Sequence, residues 1–171
     1  DNPENVERVA STIAEAGGRV VGKTRLQKMV YLLEAAGYLH GFSYVYKHYG
    51  PFSENLARAT SMATVLGVVR ETECAASWGG TYSIFTSKVA APPVDHIKAE
   101  LFRLINDANP IDLELAATAI FIAKSGDLSP RADAWEETAR RKPEKANRIP
   151  NARQLLKQLS NLDLPTPYPT I

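Results

Sequence analysis

Apolar residues recur at helical spacing over residues 23–36, and this pattern predicts a helix with one buried face. Apolar side chains occupy positions i, i+3, i+4 and i+7 of a helical repeat, namely Leu26, Met29, Val30 and Leu33. The polar residues of the same stretch are then expected on the other faces, namely Arg25, Gln27, Lys28 and Glu34. Gly37 ends this second helix of the chain.

After Gly41 the pattern changes from helical to alternating, which predicts a strand over residues 42–49. This run is rich in aromatic and β-branched residues, as strands generally are. Gly50 and Pro51 are expected to end the strand. Ser53 is expected to cap a third helix, over residues 53–66, by accepting a hydrogen bond from a backbone N–H of its first turn.

A first helix and a hairpin complete the N-terminal half. Asn2 is a suitable N-cap and Pro3 a suitable first helical residue, and apolar residues at helical spacing follow as far as Gly17. After the third helix, two runs of strand-forming residues flank a glycine-rich turn and predict a hairpin, at 68–73 and 81–86.

Beyond a linker at 90–93, the composition of the chain predicts further helices. Asn109 and Pro110 have the same cap and first-residue pattern, and they begin an apolar helix that ends before Gly126. We expect this helix to lie at the centre of the C-terminal half. Two more helices are predicted, one before the apolar helix and one at the end of this half. Their aliphatic residues recur at helical spacing and are Ile97, Leu101, Leu104, Ile105, Leu155, Leu156, Leu159 and Leu162.

A further helix is predicted between the apolar helix and the last one. Ser129 and Pro130 are a start signal for it, it carries Trp135, and Pro143 stops it.

Together these elements predict a mainly α fold with a small β component. Helices followed directly by a hairpin are typical of a winged helix-turn-helix, which we assign to residues 1–90. Residues 91–163 are expected to form a helical subdomain packed on this module. Residues 164–171 contain three prolines, and they predict an extended tail that is either frayed or bound along the surface.

Two motifs of the N-terminal half are informative together: KTRLQKMVYLLE at 23–34 and KHYGPFSENLA at 47–57. They resemble the start of bacterial winged-helix proteins of the YwgA-like type and, more distantly, of the SocA-type (Panacea) antitoxin domain. The RRKPEK segment at 140–145 also resembles the C-terminal part of YwgA-like proteins. The matching positions of the first two motifs are Leu26, Gln27, Lys28, Tyr31, Tyr49, Gly50, Pro51 and Ser53.

This resemblance implies the winged-helix fold and a role in bacterial regulation or conflict systems, such as toxin–antitoxin or phage-defence systems. The segment between helix and Y-G-P turn is shorter here than is usual in the antitoxin-type domain. The resemblance therefore implies the fold, but neither a particular toxin nor a known reaction.

Composition and charge narrow the choice of function. Hydrophobic residues make up 44% of the chain and charged residues 23%, as in ordinary globular domains. No apolar run reaches the roughly 18 to 20 residues of a membrane-spanning helix, so no membrane partner is predicted. A single cysteine, Cys74, fits a reducing cytoplasm and is expected to be buried. The net charge of +1 gives no global attraction to nucleic acid, so DNA binding requires a local basic patch.

No arrangement of residues predicts catalysis or a cofactor. The three histidines, His40, His48 and His96, lack metal-ligand spacing with one another and with Cys74, so no metal is predicted. The chain contains no G-x-S-x-G motif and no supported pairing of a nucleophile with a histidine. We expect a protein that is not an enzyme.

Residues 17–24 match the G-x-x-x-x-G-K-T pattern of a phosphate-binding loop. Such a loop cradles phosphate between a strand and a helix. Here the preceding element is predicted to be an amphipathic helix, so nucleotide binding is not expected.

Two basic regions, residues 19–28 and residues 140–148, are candidates for contact with duplex DNA, and the third helix is another. In a winged helix, the helix before the hairpin commonly enters the major groove. Arg58 suits a guanine edge and Asn55 an adenine edge, whereas Glu54 would repel phosphate. The candidate nucleic-acid-binding residues are Arg25, Lys28, Asn55, Arg58, Arg140, Arg141, Lys142 and Arg148.

The sequence favours a non-enzymatic, DNA-binding regulator. The alternative is a protein–protein interaction module, an adaptor or antitoxin-like protein that binds a toxin or defence component without binding DNA. For both basic regions, ordinary solvated surface charge is the competing interpretation. The sequence is compatible with both a monomer and a homodimer.

Overall fold

The computed structural model describes residues 2–126 and 132–171. Within them the chain forms seven α-helices, a 3-10 helix at Pro143–Arg148 and five strands. The helices are α1 (Pro3–Glu15), α2 (Lys23–Ala35), α3 (Glu54–Val65), α4 (His96–Asp107), α5 (Pro110–Ser125), α6 (Ala134–Arg141) and α7 (Ile149–Ser160). The strands are β1 (Arg19–Val21), β2 (Val45–Lys47), β3 (Gly50–Phe52), β4 (Val69–Ala75) and β5 (Thr81–Ser87).

Local capping sets the starts of α1, α3 and α5, as the sequence predicted. The side chain of Asn2 accepts a hydrogen bond from the Glu4 N–H, and that of Asn109 accepts one from the Ile111 N–H. Ser53 caps α3 in the same way. The start predicted for the sixth helix, at Ser129 and Pro130, lies outside the described residues. The described helix α6 begins at Ala134, where Asp133 is the N-cap.

Three strands form one antiparallel sheet in the order β1-β5-β4. The predicted hairpin corresponds to β4 and β5. Strand β1 was not predicted, because three residues are too few to show an alternating pattern. It pairs Val20 with Phe85, and both side chains are buried in the core.

A second, two-stranded sheet is made by β2 and β3. The prediction of one strand over 42–49 that ends at Gly50 and Pro51 was wrong. The strand is shorter, the chain turns at residues 48–49, and Gly50 and Pro51 lie in the returning strand, where Pro51 pairs with Tyr46. Pro51 is tolerated there because a two-stranded ribbon has free edges on which no N–H is needed.

The core is one cluster of buried apolar residues to which both halves of the chain contribute. Helix α5 lies at the centre of the C-terminal half, as predicted, and it packs against α2, α6 and α7. Helix α1 packs against α3. The fold is therefore mainly α with a small β component, and Leu33 of α2 and Ile120 of α5 belong to the same core.

The C-terminal tail is bound along the surface, which was one of the two arrangements predicted for it. The Tyr168 hydroxyl donates a hydrogen bond to the Leu32 carbonyl oxygen at 2.8 Å, and the Thr166 N–H donates one to the Ala36 carbonyl oxygen at 2.9 Å. Leu164 is buried as well. These contacts attach the tail to the C-terminal end of α2.

Two further expectations concern contact with solvent and membrane. Among the described residues, no helix combines the length and the apolar character needed to cross a bilayer.

Cys74, expected to be buried, is only half-buried on β4. Its position near the end of the hairpin, away from the helical core, explains the difference.

Candidate interaction surfaces and the buried lysine–glutamate cluster

The two sequence motifs are joined to each other inside the protein. Lys28 of α2 is only 1% exposed, and its Nζ donates a hydrogen bond to the Pro51 carbonyl oxygen at 2.8 Å. The Gln27 side chain donates to the Ser53 carbonyl oxygen and accepts from the Ser53 N–H, each at 3.0 Å. The motifs therefore hold β3 and the start of α3 against α2.

Gly50 fixes the same turn against α5. Its φ is +86°, a conformation that residues with a Cβ rarely adopt. A Cβ at this position would lie 2.5 Å from the Thr118 hydroxyl oxygen and 3.4 Å from the Glu114 carbonyl oxygen. Glycine is therefore required for the close approach of β3 to α5.

The remaining motif residues are aromatic or apolar. Leu26 and Tyr31 are buried, and the ring of Tyr31 packs edge-to-face against Tyr44 with centroids 4.9 Å apart. Tyr49 is exposed at the tip of the β2–β3 hairpin, with Lys145 Nζ 5.1 Å from its ring centroid. Except at Tyr49, the motif residues pack within the protein and leave little for a ligand to contact.

A lysine–glutamate cluster, formed by Lys28, Lys142, Lys145 and Glu114, lies next to this turn. Buried Glu114 of α5 accepts hydrogen bonds from Lys145 Nζ on both carboxylate oxygens at 2.9 Å, and Lys142 Nζ lies 3.1 Å away. Lys142 also donates to the His48 carbonyl oxygen. The cluster thus connects α2, α5, the β2–β3 hairpin and the segment after α6.

The cluster has three ammonium groups and one carboxylate, so its positive charge is not balanced internally. Burial lowers the pKa of Lys28 to about 8. Glu114 opposes this shift, whereas Lys142 and Lys145 add to it by repulsion. The cluster therefore holds a buried cation in an unfavourable electrostatic environment, with well-formed hydrogen bonds around it.

The predicted DNA contacts of the N-terminal half are mostly occupied by internal contacts. Lys28 is buried and cannot reach a phosphate, so the prediction that it binds DNA was wrong. Arg25 donates hydrogen bonds to the Ile105 and Val21 carbonyl oxygens. Asn55 accepts from the Ser43 N–H and donates to the Gly41 carbonyl oxygen, which fixes the loop before β2. Arg58 is exposed on α3.

The predicted contacts of the C-terminal region are likewise paired. Arg140 and Arg141 both donate to the Glu137 carboxylate, and they hold its pKa down to about 2 through these hydrogen bonds. Arg148 makes a two-fold contact with Asp112, at 2.6 and 2.8 Å. Lys142 is only 2% exposed, so the prediction that it contacts DNA was wrong, as it was for Lys28. The region is basic in sequence, but each of these four side chains has a carboxylate partner within the protein.

The exposed face of α3 carries a shallow groove of about 340 Å³. Val65 is 80% exposed and the adjoining Leu66 is 62% exposed, both unusually high for large aliphatic residues. We use "α3 face" for the residues that line the groove together with Leu66, which are Ala57, Arg58, Ser61, Met62, Val65 and Leu66. Helical spacing along α3 predicts that Val65 faces outward and Leu66 inward, and the prediction for Leu66 was wrong.

The β4–β5 hairpin carries little positive charge. Trp78 at its tip is 77% exposed, and Glu71 and Glu73 on β4 are exposed as well. Such a hairpin offers an aromatic side chain and carboxylates to a partner. Carboxylates would repel a phosphate backbone.

Residues 17–24, which match the phosphate-loop pattern, do not form a loop. Their central part is β1, which is extended against β5, and the Gly22 N–H donates to the Ser83 carbonyl oxygen at 2.7 Å. The element that precedes residues 17–24 is helix α1, as predicted, and not a strand. A phosphate cradle requires a backbone that curves around the anion. Here the backbone is instead paired in a sheet.

Among the described residues, no group of three or more histidine, cysteine or acidic side chains is arranged to hold a metal ion. In the comparisons with known proteins, no family model and no curated protein matches this chain.

Proposed function

We propose that residues 2–89 form a winged helix that acts as a protein-interaction module. The order of its elements supports the fold assignment: three helices, a first strand between the first two helices, and a closing hairpin, with the short β2–β3 hairpin inserted between α2 and α3. The first strand pairs with the second strand of the hairpin, in the order β1-β5-β4. In this fold α3 occupies the position of a recognition helix.

The apolar character of the α3 face is the observation that carries the proposal. A helix that reads DNA presents cations and hydrogen-bonding groups to phosphates and base edges. The α3 face instead presents Met62, Val65 and Leu66 beside one cation, Arg58. Asn55, the other candidate for base contact, is hydrogen-bonded within the protein. A surface of this kind supports binding of another protein better than binding of duplex DNA.

The chemistry of the α3 face also indicates what kind of partner fits it. Ala57 and Ser61 are small and one turn apart, so the backbone of a partner segment can approach closely between larger neighbours. Val65 and Leu66 supply apolar area at the end of the helix. The partner is a protein segment with apolar side chains, for which exclusion of water provides the main driving force.

This proposal corresponds to the adaptor or antitoxin-like alternative, and it places the protein in a bacterial regulatory or conflict system. The chain has no part in catalysis in this proposal. Its role is to occupy a surface of a partner protein, such as a toxin or a defence component.

Site-specific photo-crosslinking in cells tests the proposal directly. A benzophenone amino acid replaces Ser61 on the α3 face or, as a control, exposed Glu7 on α1. We expect one protein adduct from position 61, none from position 7, and loss of the adduct when Val65→Glu is added. The partner identified in this way should then bind the purified chain and not the Val65→Glu variant. A DNA adduct at position 61, or no adduct, would contradict the proposal.

A further inference from the structure

A groove of about 660 Å³ runs between the exposed face of α7 and the C-terminal tail. Its apolar part includes Leu156 of α7 and Tyr168 of the tail. Its polar part includes Arg153, Gln154 and Lys157, all exposed on α7. This groove is separate from the α3 face, since the two share no lining residue.

The charge of the groove is one-sided. Arg153 and Lys157 lie one helical turn apart, and neither makes an ion pair within residues 2–126 and 132–171. The described residues that line the groove include no aspartate or glutamate. By contrast, Arg140 and Arg148 in the neighbouring segments each have a carboxylate partner. Two like charges at this spacing repel each other, so an anionic ligand between them would be favourable.

The groove is also held in shape before any ligand binds. The Arg153 guanidinium lies 5.7 Å from the ring centroid of Trp135, whose indole is buried, and this cation–π contact restrains the arginine. On the other wall, Tyr168 is anchored to α2 by its hydroxyl. Pro167 and Pro169 on either side of it have fixed φ angles, which limits the freedom of the tail. Restraint of both walls reduces the entropy lost on binding.

We propose that this groove binds an extended acidic segment of a partner protein. Carboxylates of the segment would pair with Arg153 and Lys157, and an apolar side chain would lie along Leu156 and the prolines of the tail. An extended peptide fits better than a single inorganic anion, because the groove is elongated along α7 and much of its lining is apolar. The proposal does not depend on the α3 face, and either surface could be shown to be inactive without affecting the other.

A fluorescence titration tests this proposal. The Trp78→Phe variant leaves Trp135, beneath Arg153, as the remaining tryptophan. The probe is a synthetic peptide of alternating aspartate or glutamate and leucine, and the controls are the same peptide with lysine at the acidic positions and inorganic phosphate. We expect a saturable change of Trp135 fluorescence with the acidic peptide at low salt, and none with the basic peptide.

Charge-reversal variants locate the binding site. Arg153→Glu and Lys157→Glu should each weaken binding at least about tenfold, which corresponds to about 1.4 kcal/mol. Lys124→Glu and Arg70→Glu reverse exposed charges outside the groove and should leave the affinity within about twofold. Thermal unfolding followed by circular dichroism, together with the milder Arg153→Gln, shows whether a loss of binding reflects a loss of fold.

Three results would overturn the proposal. The first is no binding of the acidic peptide at millimolar concentration. The second is an equal loss of affinity in Lys124→Glu, which would indicate non-specific attraction. The third is complete competition by phosphate at the same concentration as the peptide, which would indicate a site for a small anion.

Discussion

Lys28 of α2 and Pro51 of β3, 23 residues apart in the chain, are joined by a hydrogen bond of 2.8 Å from Nζ to the carbonyl oxygen. A lysine on a helix is normally expected in solvent. Here it reaches inward because the carbonyl group of Pro51 and the carboxylate of Glu114 lie within the protein beside α2. The contact couples the motif at 23–34 to the motif at 47–57, and it has consequences for stability that can be measured.

The buried ammonium group of Lys28 predicts a specific dependence of stability on pH. Its pKa is near 10.5 in the unfolded chain and is lowered to about 8 in the folded protein. Between these values the unfolded state binds more protons, so the contribution of Lys28 to stability rises with pH; below pH 8 both states are protonated and the full penalty is present. The free-energy difference between wild type and Lys28→Met should therefore shift in favour of wild type from pH 8 to 10.5, by up to about 3 kcal/mol.

Urea unfolding of both proteins at a series of pH values measures this difference, and titrating groups that do not interact with Lys28 cancel when the two curves are subtracted. Lys124→Met on the exposed side of α5 is the control and should give a difference that does not vary with pH. Parallel curves for wild type and Lys28→Met would show that Lys28 is not charged and desolvated in the folded protein.

Gly50 and Gly67 form a matched pair for testing the approach of β3 to α5. Both have positive φ, +86° and +77°, so alanine at either position incurs a backbone cost of about 1–2 kcal/mol. At Gly67 no atom lies within 4 Å of the added Cβ, whereas at Gly50 the Thr118 hydroxyl oxygen lies at 2.5 Å. Gly50→Ala should therefore be less stable than Gly67→Ala by about 1–3 kcal/mol, the usual cost of overpacking.

Denaturant midpoints at constant m-value give this comparison. Equal losses of stability in the two variants would mean that β3 can move away from α5 at no cost. Addition of Thr118→Ala should recover part of the loss in Gly50→Ala and none in Gly67→Ala.

Two leucines test the assignment of the α2 and α3 faces. Leu33 is 1% exposed within the core, so Leu33→Ala should lower the free energy of unfolding by about 2–5 kcal/mol. Leu66 is exposed on the α3 face, so Leu66→Ala should change it by less than about 0.5 kcal/mol. Comparable effects in the two variants would contradict the burial described here, and a stable Leu66→Ala that loses its protein partner would support the role of the α3 face.

The sequence favoured a DNA-binding regulator, and a measurement of binding to duplex DNA tests this prediction. The protein-interaction proposal predicts no measurable binding to mixed genomic duplex fragments, even at low salt, and no effect of Arg58→Glu. A DNA-binding protein would instead lose affinity with salt at a slope of about −0.9 per phosphate contact, and Arg58→Glu would make the slope shallower by about one unit. A filter-binding series across salt concentrations, with Arg141→Glu as a second variant, distinguishes the two outcomes.

The helices were predicted from sequence because their signals are local. Caps at Asn2, Ser53 and Asn109 act on the first turn that follows them, and apolar spacing along α2 and α5 reports the period of the helix itself. The β4–β5 hairpin was predicted for a similar reason, since both strands and their turn are contiguous in the chain. Residues within a few positions of one another contain this information.

The tertiary structure alone decided which polar residues are buried and which apolar residues remain exposed. Lys28 and Lys142 look like solvent-facing cations in sequence, but Glu114 and two carbonyl oxygens from distant segments compensate them in the core. Leu66 falls on the inward face of the helical repeat of α3, but no described element covers it. The partners that decide each case lie far away along the chain, so helical periodicity, which treats every charged residue as exposed, cannot identify them.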